Sequence, residues 1–192
     1  MAIDIDKEKA LIACVKQNDR AAFDELVKMH RGKGFAIAYN ILGNFEDAKD
    51  VLQEAFIKVY LNIKTFKQEA KFSTWFYRIL VNCSWDFLRK RKRVDKLFIL
   101  PLTDEQGTER DIPDFQFEPA KLIINKELSR NLDIAIASLP ERQRLCFVLK
   151  HQNGLSNQEI AKVLRCSLST VKVHLFRAVR ALQDKLSTYL IK

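Results

Sequence analysis

Apolar residues recur along this chain at intervals of three and four, the spacing of one face of an α-helix. Residues 10–15 form a first amphipathic turn or two. Asn18-Asp19 offers caps for a second helix that carries Phe23, Leu26 and Val27 inward. A third pattern over about 31–42, with Phe35, Ala38, Tyr39 and Leu42, stops at Gly43-Asn44. A fourth, about 45–62, carries Val51, Leu52, Ala55, Phe56 and Val59. The next, about 71–92, buries Phe72, Phe76, Ile79, Leu80, Cys83 and Phe87.

The pattern resumes over 121–138 with Leu122, Ile123, Leu128, Leu132, Ala135 and Ile136. Pro140 opens another helix at its first position, with Leu145, Val148 and Leu149 inside. Ser156-Asn-Gln-Glu159 has the spacing of a capping box and starts a short helix to 164, with Ile160, Ala161 and Leu164 inward. Three residues later a longer helix, about 168–190, sets Leu168, Val171, Leu175, Ala178 and Leu182 on one face. A short helix, a tight turn and a helix with polar residues in its first turns form a helix-turn-helix, whose second helix enters the major groove. Its exposed candidates are Ser169, Thr170, Lys172, Val173, His174 and Arg177. Hydroxyls bond bases or phosphates, and an arginine forks onto guanine or clamps a phosphate. Val173 suits a thymine methyl or helix packing equally well. The expected fold is all-α.

Charge divides the chain further. The 192 residues carry a net +9, but residues 94–120 hold seven acids, two bases and three of the four prolines, a local −5. Residues 1–93 carry +6 and residues 121–192 carry +8. A proline-containing acidic stretch between basic, periodic segments predicts two small helical modules joined by a linker. No uncharged apolar stretch approaches the ~18 residues of a membrane span. The first residues are charged and unlike a signal peptide, so a cytoplasmic protein is expected. Cys14, Cys83, Cys146 and Cys166 are scattered, without metal-ligand spacing, and each is expected to pack as a small apolar residue.

Two further strips carry candidate chemistry. Asp47, Asp50, Gln53 and Glu54 share one polar strip of the 45–62 helix. Clustered carboxylates there fit a metal site, a docking strip for a basic partner, or a solvated face favoured by the helix dipole. On the 71–92 helix, Trp75, Arg78, Asn82, Asp86 and Arg89 recur at threes and fours, followed by bases through Arg93. Aromatics interleaved with cations suit single-stranded nucleic acid, since bases stack on rings while cations follow phosphates. Helix–helix packing of Trp75 and Trp85 is the competing account.

Taken together, Asp47-Ala-Lys-Asp-Val-Leu-Gln-Glu-Ala-Phe56, Phe72-Ser-Thr-Trp-Phe-Tyr-Arg-Ile-Leu-Val-Asn82 with Asp86 and Arg89, Leu139-Pro-Glu-Arg-Gln-Arg144 and the helix-turn-helix through Arg177-Ala178 resemble a known family. They are similar to sigma-70-family RNA polymerase sigma factors of the compact extracytoplasmic-function group, which retains regions 2 and 4. The resemblance implies a region 2 module over 1–93, an acidic linker over 94–120 and a region 4 module over 121–192. It implies that the strip Asp47, Asp50, Gln53 and Glu54 docks on core RNA polymerase, a role that spacing leaves open. It also implies that Trp75, Arg78, Asn82, Asp86 and Arg89 recognise and melt the −10 element. Lys64, Phe66 and Lys71, in and beside the loop before that helix, would hold a flipped-out base. The second helix of the helix-turn-helix would read the −35 duplex, the linker would thread a polymerase channel, and an anti-sigma factor is an expected partner. Neither a cofactor, a metal nor a catalytic residue is implied. Arg165 stands where the family usually has a turn glycine, and Ser169, Val173 and His174 replace its commoner Gly, Ser and Arg. The alternative is a stand-alone helix-turn-helix regulator with an N-terminal dimerisation or sensor domain. A nuclease or recombinase lacks a catalytic cluster.

Overall fold

A computed structural model describes residues 5–67, 69–98 and 132–190. The chain divides into two compact units between Arg110 and Asp111, and no strand occurs among the described residues. In the first unit the helices are α1 (Ile5–Lys16), α2 (Arg20–Leu42), α3 (Phe45–Asn62) and α4 (Phe72–Phe98), with a 3₁₀ turn at Ile63–Thr65. Their ends follow the expected chemistry. Asn18 turns the chain at φ 68°, and the Asp19 carboxylate accepts from the Ala22 amide at 3.1 Å to start α2. Gly43, at φ 71°, ends it by returning its N–H to the Tyr39 carbonyl. Asn44 then caps α3 by accepting from the Asp47 amide at 3.0 Å.

Where one helix is expected after Asn18-Asp19 and a separate one over about 31–42, α2 is continuous. Its two internal glycines do not break it because tertiary packing outweighs their propensity. Gly34 lies against the core so closely that a Cβ would meet Leu52 Cδ1 at 2.9 Å and the Phe76 ring at 3.0 Å. The buried face of this half is His30, Gly34, Ile37, Ala38 and Ile41. Of the predicted set only Ala38 is buried; Phe35 and Tyr39 instead stack on one another, half-exposed. The predicted stripe of α3 is buried throughout. On α4, Phe72, Phe76, Leu80 and Cys83 are buried with Tyr77 and Val81, while Ile79 and Phe87 are only half-buried. Phe56 stacks on Phe76 at 4.7 Å, and His30 lies 4.9 Å from Phe72 while its Nε2 meets the Glu8 carboxylate at 2.7 Å. That contact ties α1 to the bundle. Helix α4 continues to Phe98, five residues past the expected end of the module. The remainder of the expected linker, 99–120, lies outside the described residues, as do Leu122, Ile123 and Leu128.

The second unit contains helical residues 132–137 (α5), α6 (Glu141–Phe147), a π-helical turn Val148–Gln152, α7 (Asn157–Leu164) and α8 (Leu168–Leu190). Pro140 precedes α6 as its N-cap rather than occupying its first position. Arg144 is buried and donates from Nη1 to the carbonyls of Ala137 and Leu139, so a guanidinium satisfies the orphan carbonyls where α5 ends. The capping box of α7 is complete: Ser156 N–H donates to Glu159 at 2.7 Å, and the Glu159 amide donates to Ser156 Oγ at 3.2 Å. Arg165 ends α7 in the left-handed region, at φ 51° and ψ 49°. The Ser167 hydroxyl accepts from the Thr170 amide at 3.1 Å at the start of α8.

Ile160, Val163, Leu164, Val171, Ala178 and Leu182 close the core over Leu145, Val148 and Leu149. Four predicted core positions differ. Leu132 and Leu168 are exposed near the described helix starts, and Ala161 and Leu175 are only half-buried. Cys83 and Cys146 pack inside, whereas Cys14 is exposed and Cys166 half-buried, so apolar packing accounts for only two of the four. Burial raises the Cys146 thiol to about 12. Among the described residues no helix is long and apolar enough to cross a membrane, and no cluster has metal-holding composition.

Candidate functional site

Three surfaces gather the candidate residues. On α3, Asp50 and Gln53 are exposed, Glu54 half so, and Asp47 is partly shielded by an ion pair of 3.1 Å to Arg91 of α4. That pair holds one residue of the basic tail against the start of α3. The strip continues beyond the predicted residues: Ile57 and Leu61 lie on the same face at 60% and 71% exposure. The predicted core stripe leaves both out, but their apolar character gave no sign that they continue the polar strip. Glu54 accepts from Lys58 at 2.7 Å, and this contact raises the lysine above its ordinary value.

Lys58 belongs also to the second surface. Trp75, Ile79, Asn82 and Cys83 of α4, with Lys58 and Asn62 of α3 and Thr65 of the 3₁₀ turn, line a shallow pocket of about 340 Å³. The structure therefore brings together Trp75 and Asn82, as expected from α4 alone, and adds side chains from α3 and the 3₁₀ turn. Trp75 is half-buried, its ring 5.0 Å from Phe66 and 5.9 Å from Phe72. Helix packing therefore accounts for part of this residue, and the rest of it lines the pocket. Phe66 differs from expectation. At 5% exposure it is a core residue, with its carbonyl accepting from Lys16 Nζ at 2.7 Å, so its ring is a support for Trp75 rather than a surface contact. Lys64, Lys71, Arg78 and Arg89 are exposed; Asp86 is half-buried and ion-paired to Arg89. Burial keeps the Cys83 thiol protonated by raising it, although Lys58 Nζ, 3.4 Å away, opposes the shift.

The third surface is the amino-terminal half of α8. Ser169, Lys172, Val173 and Arg177 are exposed, and Thr170 and His174 half so. The Ser169 and Thr170 hydroxyls lie within 2.7 and 2.8 Å of Ser167 Oγ, a local network at the start of the helix. Phe176, missed by sequence reasoning, is 67% exposed beside Arg177. Val173, Phe176, Arg177 and Arg180 follow at three, four and seven residues and so form one apolar and cationic strip. Burial, with Arg142 and Arg177 nearby, holds His174 below its ordinary value.

All three surfaces lie within segments that match known families. Residues 26–94 match the family described as Sigma-70 region 2, and residues 129–182 match Sigma-70, region 4. The chain is 35% identical over 180 residues to the ECF RNA polymerase sigma factor SigW of Bacillus subtilis, covering 93% of this chain and 96% of the relative. It is 31% identical over 188 residues to the ECF RNA polymerase sigma-E factor of Escherichia coli K12, covering 93% of each. The sigma factor RpoE of Bartonella quintana, solved with the anti-sigma factor NepR, shares the fold at a TM-score of 0.64 and 22% identity. That likeness covers 86% of this chain and 96% of RpoE.

Proposed function

The chain belongs to the sigma-70 family of RNA polymerase sigma factors, in the extracytoplasmic-function group, and we propose how its surfaces divide the work of initiation. Its role is that of an alternative sigma factor in transcription initiation. In this reading the α3 strip of Asp47, Asp50, Gln53 and Glu54 docks on a basic surface of core RNA polymerase. The pocket beside Trp75 takes a base unstacked from the −10 element, with Asn82 and Thr65 available to its polar edge. Cations at Arg78 and Arg89 would follow the adjoining backbone. Unstacking is cheapest where the duplex is weak, which makes such a pocket selective. The α8 strip reads the −35 element as duplex, Arg177 by a bidentate or phosphate contact and Val173 and Phe176 by apolar contact.

The protein itself carries out no bond-making step in this scheme, since the polymerase does. An anti-sigma partner that covers these surfaces belongs to the same reading, as does a cytoplasmic site of action beside the polymerase. The 94–120 linker would place its carboxylates along a cationic channel. The pocket carries the proposal furthest, because residues from α3, the 3₁₀ turn and α4 converge on a ring and two amides. The deciding experiment is gel filtration with core polymerase followed by run-off transcription on genomic DNA with sequencing of start sites. Co-elution and discrete starts are expected. Failure to co-elute would sink the reading in favour of a stand-alone helix-turn-helix regulator.

A further inference from the structure

Lys16 is the last residue of α1, where a lysine is ordinarily left to the helix dipole and to water. Here its ammonium crosses 50 residues of sequence to donate to the Phe66 carbonyl at 2.7 Å, with the Phe66 ring centroid 6.0 Å away. Phe66 caps the 3₁₀ turn that follows α3. Local bonds shape that turn: the Phe66 N–H donates to the Ile63 carbonyl at 3.1 Å, and the Thr65 hydroxyl to the Asn62 carbonyl at 2.8 Å. The Lys16 bond adds a tie from its end to α1. About two turns earlier α1 is itself pinned, where Glu8 meets His30 at 2.7 Å and the His30 ring lies 4.9 Å from Phe72. The Phe66 ring stands 5.8 Å from Phe72 and 5.0 Å from Trp75, so a set of contacts runs from α1 to the indole. Lys16 lies outside residues 26–94, the segment that matches Sigma-70 region 2, and the family match assigns it nothing.

We propose that Lys16 is a positioning residue for strand opening: it holds the Phe66 backbone so that the ring stays behind Trp75 and the indole keeps the orientation in which it meets an unpaired base. The inference rests on the pocket's assignment to an unstacked base. Lys16 is not one of the residues that line the pocket, and its effect passes through the Phe66 ring. The bond is partly buried, so water replaces a lost donor poorly and the end of the turn is released. The gain is preorganisation: a ring already in place needs no ordering when the base arrives.

The test uses the full chain in a W85F background, which leaves Trp75 as the one tryptophan. Acrylamide quenching of the free chain reads the indole. Permanganate footprinting with core polymerase, on a promoter mapped by run-off transcription, reads opening. K16M keeps the aliphatic stem and removes the donors. It should raise quenching of Trp75 and lower opening several-fold, while −35 duplex binding and the circular dichroism spectrum stay as in the parent. K16R, which carries donors at similar reach, should restore both readouts. In an F66L background, without the supporting ring, K16M should add nothing. Unchanged opening in K16M would overturn the proposal, as would an equal loss with and without the Phe66 ring, or a loss that leaves Trp75 quenching unmoved. Should K16M fail to fold, K16Q takes its place in each assay. Asn82→Ala separates the two levels. If N82A lowers opening while K16M does not, only the role of Lys16 falls. If both variants open the promoter as the parent does, the pocket assignment falls with it.

Discussion

Arg165 holds a backbone conformation that costs an L-residue ~1–2 kcal/mol, and its φ of 51° is not met by a side chain suited to it. Asn18 meets the same demand at φ 68° with a residue that tolerates it. Arg165→Gly should therefore raise the stability of the second unit by about 1 kcal/mol, read as a shifted urea midpoint at constant slope. A lowered midpoint would mean that the arginine side chain contributes more than its backbone loses. His174 gives a pH signature in the same unit. Its lowered value leaves the unfolded chain binding more protons, so its contribution is full above the ordinary 6.5 and falls as pH drops through the lowered value. The parent should lose stability on acidification through this window more steeply than His174→Gln, measured by thermal melts. Parallel curves would remove the histidine from the account.

At the scale of elements, α2 shows what packing adds to propensity. A methyl group added at Gly32 would meet nothing within 4 Å, whereas Gly34 is pressed against Leu52 and Phe76. Gly32→Ala should stabilise the first unit by about 1 kcal/mol through helix propensity. Gly34→Ala has the same propensity gain but must displace the core, at ~1–3 kcal/mol, and should come out destabilising. Chemical denaturation of both variants checks the pair; equal gains would show that the Leu52 end simply swings aside. The caps were legible because their donors and acceptors are local: Asp19, Asn44, Ser156 with Glu159, and the αL turn at Gly43 all stand where residue spacing places them. The continuity of α2 was not legible, since a glycine reads as a break until the surface it lies on is known. The same holds for Phe35 and Tyr39, whose apolar character outweighed the smaller residues that truly face the core.

At the scale of the whole molecule, the proposed function gives each unit its own reading surface, so variants of the two should separate by substrate. Arg177→Ala should weaken promoter-duplex binding by ~1–3 kcal/mol if it makes a bidentate base contact, and leave single-strand binding as it is. Trp75→Ala should do the reverse, impairing opening, which permanganate footprinting of the promoter detects. Because Trp75 also packs on Phe66 and Phe72, its variant needs a circular dichroism spectrum beside the functional assay. Loss of both activities in either variant would contradict two separable surfaces. Net charge says little here; a positive total averages over two basic units and an acidic stretch that have different neighbours in the proposed complex.

Periodicity, caps and charge blocks were enough to determine an all-α chain of two units with a helix-turn-helix in the second, because each depends on residues within a turn or two of one another. The motif resemblance supplied the family from the same local stretches. Only the tertiary structure decided that Phe66 lies inside, that nothing among the described residues covers Ile57, Leu61 and Phe176, and that Lys58 and Thr65 share a pocket with Trp75. Those facts depend on which helix covers which face. A stripe of apolar residues shows that a face is covered somewhere, and the covering element comes from distant parts of the chain.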